Sequence, residues 1–254
     1  MPTHAMPAGP PLPPPPPLSS LEGAALFLDF DGTLVELAVT PDRIRVPAGL
    51  GSLLARLAAR LDGRLAMVSG RALADLDRHM DFGGIIVSGS HGLELRQPGR
   101  ITVSPASPAA MEAARGEIER FAERDTGLLV EHKPAGVALH YRQAPGQEAD
   151  VSALLGDLAA RTGLTVQRGK MVAELRPAAG NKGDLVRDLM GEPAFAAARP
   201  LFVGDDLTDE DGFAAAAALG GAGILVGGPR STAARYGLGG VASVAAWLEE
   251  GAGA

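Results

Sequence analysis

Short apolar runs that end abruptly in Asp, Ser or Gly recur along this chain, and they constrain its fold more than any other feature. AALFLD (24–29) is apolar up to its last residue, as a strand covered on both faces must be. GRLAMVSG (63–70), GGIIVSGSHG (83–92), PLFVGDD (200–206) and GAGILVG, which begins at Gly221, repeat the pattern. Between the first two runs, GLGSLLARLAARL (49–61) sets Leu50, Leu53, Leu54, Leu57 and Leu61 on one helical stripe. Strands that alternate with amphipathic helices pair in parallel through right-handed crossovers, so the pattern predicts a doubly wound α/β sheet.

The middle of the chain reads differently. SPAAMEAARGEIERFAERD (107–125) is helical, and LLVEHK and VALHYR follow it as a hairpin around PAG. A second helical stretch (148–162) leads into TVQRG and KMVAELRP, another hairpin. Helix, hairpin, helix, hairpin makes an α+β unit with an antiparallel sheet. Flanked on both sides by parallel-sheet patterns, it reads as a domain of residues 101–180 inserted into a core of 21–100 and 181–254.

Residues 1–20 stand apart. Proline lacks the donor for helix or sheet and fixes φ, so PAGPPLPPPPPLSS predicts a disordered, Pro-rich tail. It has neither the basic start nor the unbroken apolar run of a signal peptide, and no segment approaches the ~20 apolar residues of a membrane span. A formal charge of −7 argues against a nucleic-acid partner, while leaving room for a small anionic ligand in a local basic pocket. With no cysteine, disulfides, thiolate metal sites and thiol nucleophiles are excluded, which fits a cytoplasmic location. Nothing in the chain sets an oligomeric state, and a monomer is compatible with it.

The strand ends carry the chemistry. Open parallel sheets bind ligands at the carboxyl ends of their strands, where Asp29, Ser69 and Asp205 all fall. Alternation puts Asp29 and Asp31 on one side and turns Phe30 toward the core. Any one of these residues alone would read as a helix N-cap. Together, DFDGT, VSGR, NKG and GDDLTDED on successive strand and helix ends point to chemistry instead. Clustered carboxylates repel one another unless a cation neutralises them, and an oxygen-only ligand set suits Mg²⁺. Beside a bound phosphate, one carboxylate can attack phosphorus and a second can move protons. Lys182, at the start of a helix, adds positive charge for phosphoryl oxygens. Walker A, GxGxxG, HExxH and GxSxG patterns are all missing from the sequence.

In order and spacing, DFDGT, VSGR, NKG and GDDLTDE resemble the four motifs of the haloacid dehalogenase superfamily across residues 24–228. The resemblance implies a Rossmann-like core with an α+β cap. It implies Asp29 as nucleophile, Asp31 as general acid/base, Ser69 as a phosphoryl hydrogen-bond partner and Lys182 as stabiliser of nucleophile and phosphate. Mg²⁺ would be held by Asp29, the Asp31 carbonyl and Asp205, with Asp206 and Asp209 supporting or sharing that role. Substrate contacts would extend over Phe30, Gly32, Gly70, Arg71, Asp206 and Asp209, with Gly32 keeping the backbone clear of the phosphate. GSHGLELR, VEHKPAGVALHYR and GKMVAELRP narrow the resemblance to the trehalose-phosphate phosphatase family, in which Glu131, Lys133 and Glu174 match the cap residues that hold the sugar. The implied activity is Mg²⁺-dependent hydrolysis of a sugar phosphate, trehalose 6-phosphate, through an aspartyl-phosphate intermediate. A phosphatase for sucrose phosphate or a mannosyl phosphate is one alternative. A non-catalytic phosphosugar-binding module is a more distant one.

Overall fold

The structure, a computed structural model, describes residues 10–20, 22–38, 43–92, 94–103, 108–133, 136–169, 171–177 and 181–253. They divide into two compact units, Met1–Thr102 with Gly180–Ala254, and Val103–Ala179. The larger unit begins with β1 (Ala24–Asp29), α1 (Leu50–Arg60), β2 (Leu65–Val68), α2 (Leu73–Leu76), β3 (Ile86–Gly89), β4 (Glu94–Gln97) and β5 (Arg100–Val103). The inserted unit follows with α3 (Pro108–Ala122), β6 (Leu129–Lys133), β7 (Gly136–His140), α4 (Glu148–Thr162), β8 (Leu164–Gly169) and β9 (Val172–Pro177). The chain then completes the larger unit with α5 (Lys182–Met190), β10 (Arg199–Gly204), α6 (Glu210–Ala218), β11 (Ala222–Val226), β12 (Tyr236–Leu238) and α7 (Val241–Gly253).

One sheet runs through the larger unit in the order β12-β11-β10-β1-β2-β3-β4-β5. From β12 to β3 the pairs are parallel. The chain leaves β1 toward β2 on one side and returns on the other side at β10. The strand order therefore reverses at β1, so its carboxyl end opens at the switch point where such sheets take ligands. Every residue of β1 is buried, because both faces are covered. Leu26 and Leu28 join one cluster with Leu53 and Leu57 of α1 and Val244 and Leu248 of α7. Ala25 and Phe27 join another with Val186 and Leu189 of α5 and Phe213 of α6. A fully buried Leu or Phe stabilises by about 1.5–3 kcal/mol, so these two layers set the register of β1 firmly.

The inserted unit is a four-stranded antiparallel sheet in the order β6-β7-β9-β8. Ala114 and Ile118 of α3 and Val151, Leu155 and Leu158 of α4 bury one of its faces over Val137, Leu139, Ala173 and Leu175. The PAG turn of the first hairpin lies partly outside the described residues, at Pro134 and Ala135.

The structure adds elements that the apolar runs did not announce. ELRQ folds back as β4, antiparallel to β3, with half-buried side chains in place of an apolar run. YGL forms the short edge strand β12. Residues 10–20, expected to belong to a disordered tail, are instead bound to the larger unit. The Gly237 amide donates to the Pro13 carbonyl at 2.9 Å, the Trp247 indole donates to the Pro16 carbonyl at 2.9 Å, and Leu18 is buried. Composition described the backbone conformations open to this stretch and was silent on the surface that receives it. Residues 1–9 of the expected tail lie outside the described residues.

Candidate active site

The turn after β1 aims the two carboxylates. Phe30 is fully buried and meets Phe82 edge-on at 6.2 Å between ring centroids, which leaves Asp29 and Asp31 on the other side of the chain. Phe30 was expected among the substrate contacts; with its ring in the core, only its backbone is left for such a role. Its carbonyl accepts from Leu34 at 2.9 Å and Val35 at 3.1 Å, closing the turn. Gly32 takes φ +81°, and a Cβ there would collide with the Asp205 carboxylate. The close neighbour of Gly32 is therefore Asp205, where a phosphate had been expected. Gly204 plays the same part for Asp209, whose carboxyl group occupies the space of a Cβ.

Lys182 reaches this cluster from the first turn of α5. The Asn181 side chain accepts from the Asp184 amide at 2.8 Å, and Asp184 accepts from the Asn181 amide at 3.1 Å, a reciprocal cap that holds the helix start. Lys182 Nζ lies 2.6 Å from Asp29 Oδ1 and 2.6 Å from Asp209 Oδ1. All three side chains are buried. The second oxygen of Asp209 accepts from the Asp206 amide at 2.9 Å. Asp209 had been placed among the substrate contacts. Fully buried with both oxygens engaged, it holds Lys182 and the Asp206 backbone instead.

Asp29, Asp205 and Asp209 each bring a carboxylate oxygen to within 4.8 Å of the others. One ammonium cannot balance three carboxylates in a desolvated space. Burial pushes the Asp29 carboxyl up to about 8, with Asp209 adding to the rise and Lys182 opposing it. Burial likewise raises Asp205 to about 6, with help from Asp209 and Asp206. Burial pulls Lys182 down, but Asp29 and Asp209 outweigh it and its pKa ends above the usual lysine value. Asp205 Oδ1 is buried and has no hydrogen-bond partner. An excess of buried carboxylate with an orphaned oxygen is what a cation site needs, and an all-oxygen set fits a hard divalent ion.

The opposite wall comes from the loop after β2. Arg71 donates from Nε to Asp31 Oδ2 at 2.7 Å and from Nη2 to Asp31 Oδ1 at 2.8 Å, a two-point fork, and from Nη1 to Asp75 at 2.9 Å. These carboxylates hold the guanidinium pKa above its ordinary value. Ser69 is buried and its hydroxyl accepts from the Arg71 amide at 3.1 Å. Asp29, Asp31, Leu37, Gly70, Arg71, Lys182, Asp205, Asp206 and Thr208 line one cavity of about 470 Å³.

Glu131, Lys133 and Glu174 belong to the inserted unit. Glu131 stands opposite Ala138, and Ala138 opposite Glu174, so the two acids share the sheet face away from α3 and α4. Glu131 Oε2 lies 2.8 Å from His140 Nε2, and Lys133 is the last residue of β6.

Sequence reasoning missed two braces. Arg230, on the loop after β11, donates to the Asp206 carbonyl at 2.9 Å and the Asp205 carbonyl at 3.4 Å, and also pairs with Glu210. Glu210 in turn accepts from the Ala233 amide at 2.7 Å, tying two strand-end loops together. Glu94 accepts from the Leu73 amide at 2.9 Å and the Ser90 hydroxyl at 2.8 Å, which steadies the loop that carries Arg71. The signal for Arg230 was its position after a parallel strand, one strand away from Asp205.

Residues 27–234 match the trehalose-phosphatase family. The chain is 40% identical over 213 residues to a probable trehalose-phosphate phosphatase of Sinorhizobium fredii, covering 83% of this chain and 80% of that protein. It is 35% identical over 227 residues to the trehalose-6-phosphate phosphatase of Escherichia coli, covering 89% and 85%. Among solved structures, Aspergillus fumigatus trehalose-6-phosphate phosphatase superposes with a TM-score of 0.73 at 28% identity, over 95% of this chain and 99% of that one. With a carboxylate cluster at the switch point of its sheet and a match to the family over most of its length, the chain belongs to the trehalose-phosphatase family of phosphoric monoester hydrolases.

Proposed function

We propose that this chain hydrolyses trehalose 6-phosphate to trehalose and inorganic phosphate, with Mg²⁺ as its cation. The observation that carries the reading is the set of buried Asp29, Lys182 and Asp209 with half-buried Asp205 at the carboxyl end of β1. Asp29 attacks phosphorus and the bond to the sugar oxygen breaks, while Asp31 delivers a proton to that oxygen. Water then attacks the aspartyl phosphate, Asp31 takes its proton, and phosphate leaves with Asp29 restored. Lys182 orients Asp29 and offsets charge on the phosphoryl oxygens, and Ser69 hydrogen-bonds one of them. The Arg71 fork that grips Asp31 also fits a phosphoryl group, so substrate entry frees Asp31 to reach the ester oxygen. Asp29, Asp205 and the Asp31 carbonyl would hold Mg²⁺, which supplies charge neutralisation at the phosphate.

Glu131, Lys133 and Glu174 are proposed to hydrogen-bond the hydroxyls of the sugar. The cytoplasm is the proposed location, where a charged, membrane-impermeant sugar phosphate made inside the cell is retained. Phosphate release from trehalose 6-phosphate, sucrose 6-phosphate and a mannosyl phosphate, with Mg²⁺ and with EDTA, tests the reading. Trehalose 6-phosphate should be turned over fastest and EDTA should abolish turnover; preference for another sugar would reassign the substrate. Asp29→Asn should fold normally and lose on the order of a thousand-fold or more in kcat. Wild-type-like turnover by that variant would remove Asp29 as the nucleophile.

A further inference from the structure

The proline run takes no part in the chemistry above, yet it is one of the more carefully received segments of the larger unit. Residues 11–18 read PLPPPPPL, and five consecutive prolines confine the backbone to polyproline II, with three residues per turn. The observed burial follows that period. Leu12 is half-buried and Pro15 and Leu18 are buried, at intervals of three, while Pro11, Pro14 and Pro17 are exposed. The accepting carbonyls are also three apart: Pro13 takes the Gly237 amide and Pro16 takes the Trp247 indole.

The receiving surface is shaped for this. Where Gly237 of β12 lacks a side chain, Leu12 Cβ lies 3.2 Å from the place of a Cβ, and Leu18 fills the equivalent space over Gly251 of α7. Trp247 is 6% exposed, with its ring in the core and its N–H turned to the strap. Aromatic rings with an outward donor, set beside a furrow, are how proteins recognise polyproline II segments in other chains. Here the bonded amide belongs to β12, the terminal strand of the sheet. Pro13–Pro17 offer no N–H in return, so this stretch satisfies that edge without continuing the ladder.

We infer that the furrow between β12 and α7 is a polyproline II-binding surface, that its occupant is this chain's own residues 10–18, and that the docked segment closes the sheet edge at β12. The chain's single tryptophan, Trp247, is the natural reporter. In the full-length chain, Leu12→Asp combined with Pro15→Asp should release the strap. Trp247 emission should then shift to the red and acrylamide quenching should rise. The Gly237 amide should exchange about ten-fold faster or more. Hydrolysis of p-nitrophenyl phosphate should stay unchanged, which reports an intact fold. A synthetic peptide of residues 10–20, titrated to millimolar concentration, should restore the blue emission saturably, whereas a scrambled peptide of the same composition should not. Pro15→Gly loosens the polyproline helix without burying a charge, and should give the same changes in weaker form even where the double variant does not fold. Unchanged Trp247 quenching and Gly237 protection in Pro15→Gly and in a folded double variant would overturn the docking. Equal responses to the native and scrambled peptides, or none to either, would overturn the claim of polyproline recognition.

Discussion

Asp29 and Asp205 hold their protons far better in the fold than in an unfolded chain, and the pH dependence of stability follows from that. Their carboxyl groups rise from 3.8 to about 8 and about 6, with burial as the main cause in each. A group whose pKa is raised on folding contributes stability that is complete below the unfolded value and is lost as pH climbs through the folded value. The metal-free chain should therefore lose melting temperature between pH 5 and pH 8. A cation binds the deprotonated carboxylates and expels those protons, so the gain in Tm on adding Mg²⁺ should grow across the same window. Thermal scans with Mg²⁺ and with EDTA at pH 5, 6, 7 and 8 read this directly. A gain that is flat with pH would mean that the cation binds elsewhere. At this scale the sequence named the acids but not their partners. That Asp209 takes Lys182 on one oxygen and the Asp206 amide on the other depends on Gly204 leaving space for it.

Among the elements, the loops after β10 and β11 act as one through Arg230. Its guanidinium holds the backbone carbonyls of Asp205 and Asp206, and Glu210 anchors it from the start of α6. Arg230→Ala should let this loop drift and raise the Mg²⁺ concentration for half-maximal activity by about ten-fold, the usual scale for losing a group that orients a metal ligand. KM for the phosphate ester should move less, and direct Mg²⁺ titration of the variant should show the same weakening. Equal losses in metal and ester binding would make Arg230 a general brace of the fold. The main strands and helices were legible because their periodicities are local, as the stripe of α1 shows. β4 and β12 were not. ELRQ is half-buried and YGL is only three residues long, so neither carries a pattern until its neighbour strand exists.

For the whole molecule, the groups proposed to handle phosphorus belong to the larger unit and those proposed to hold the sugar belong to the insert, so substitution should separate the two tasks. Glu174→Ala and Lys133→Ala should each lower kcat/KM for trehalose 6-phosphate by about ten-fold, or about 1.4 kcal/mol. p-Nitrophenyl phosphate, which has no sugar hydroxyls, should be hydrolysed at nearly the wild-type rate by both variants. Equal losses on both substrates would move these residues from sugar recognition to folding or to the phosphate site.

What the sequence determined by itself was whatever repeats over a few residues: the buried runs of the parallel sheet, the amphipathic helices, and the rank of motifs at the strand ends that mark the family. Those signals survive in one dimension because backbone geometry links each residue to neighbours two, three or four positions away. Only the tertiary structure decided what joins residues far apart along the chain. Lys182 meets Asp29 across 153 positions, and Pro16 meets Trp247 across 231. Proline chemistry limited residues 13–17 to an extended helix without donors. Whether that helix floated free or docked was settled by a furrow that β12 and α7 form only after the sheet has assembled.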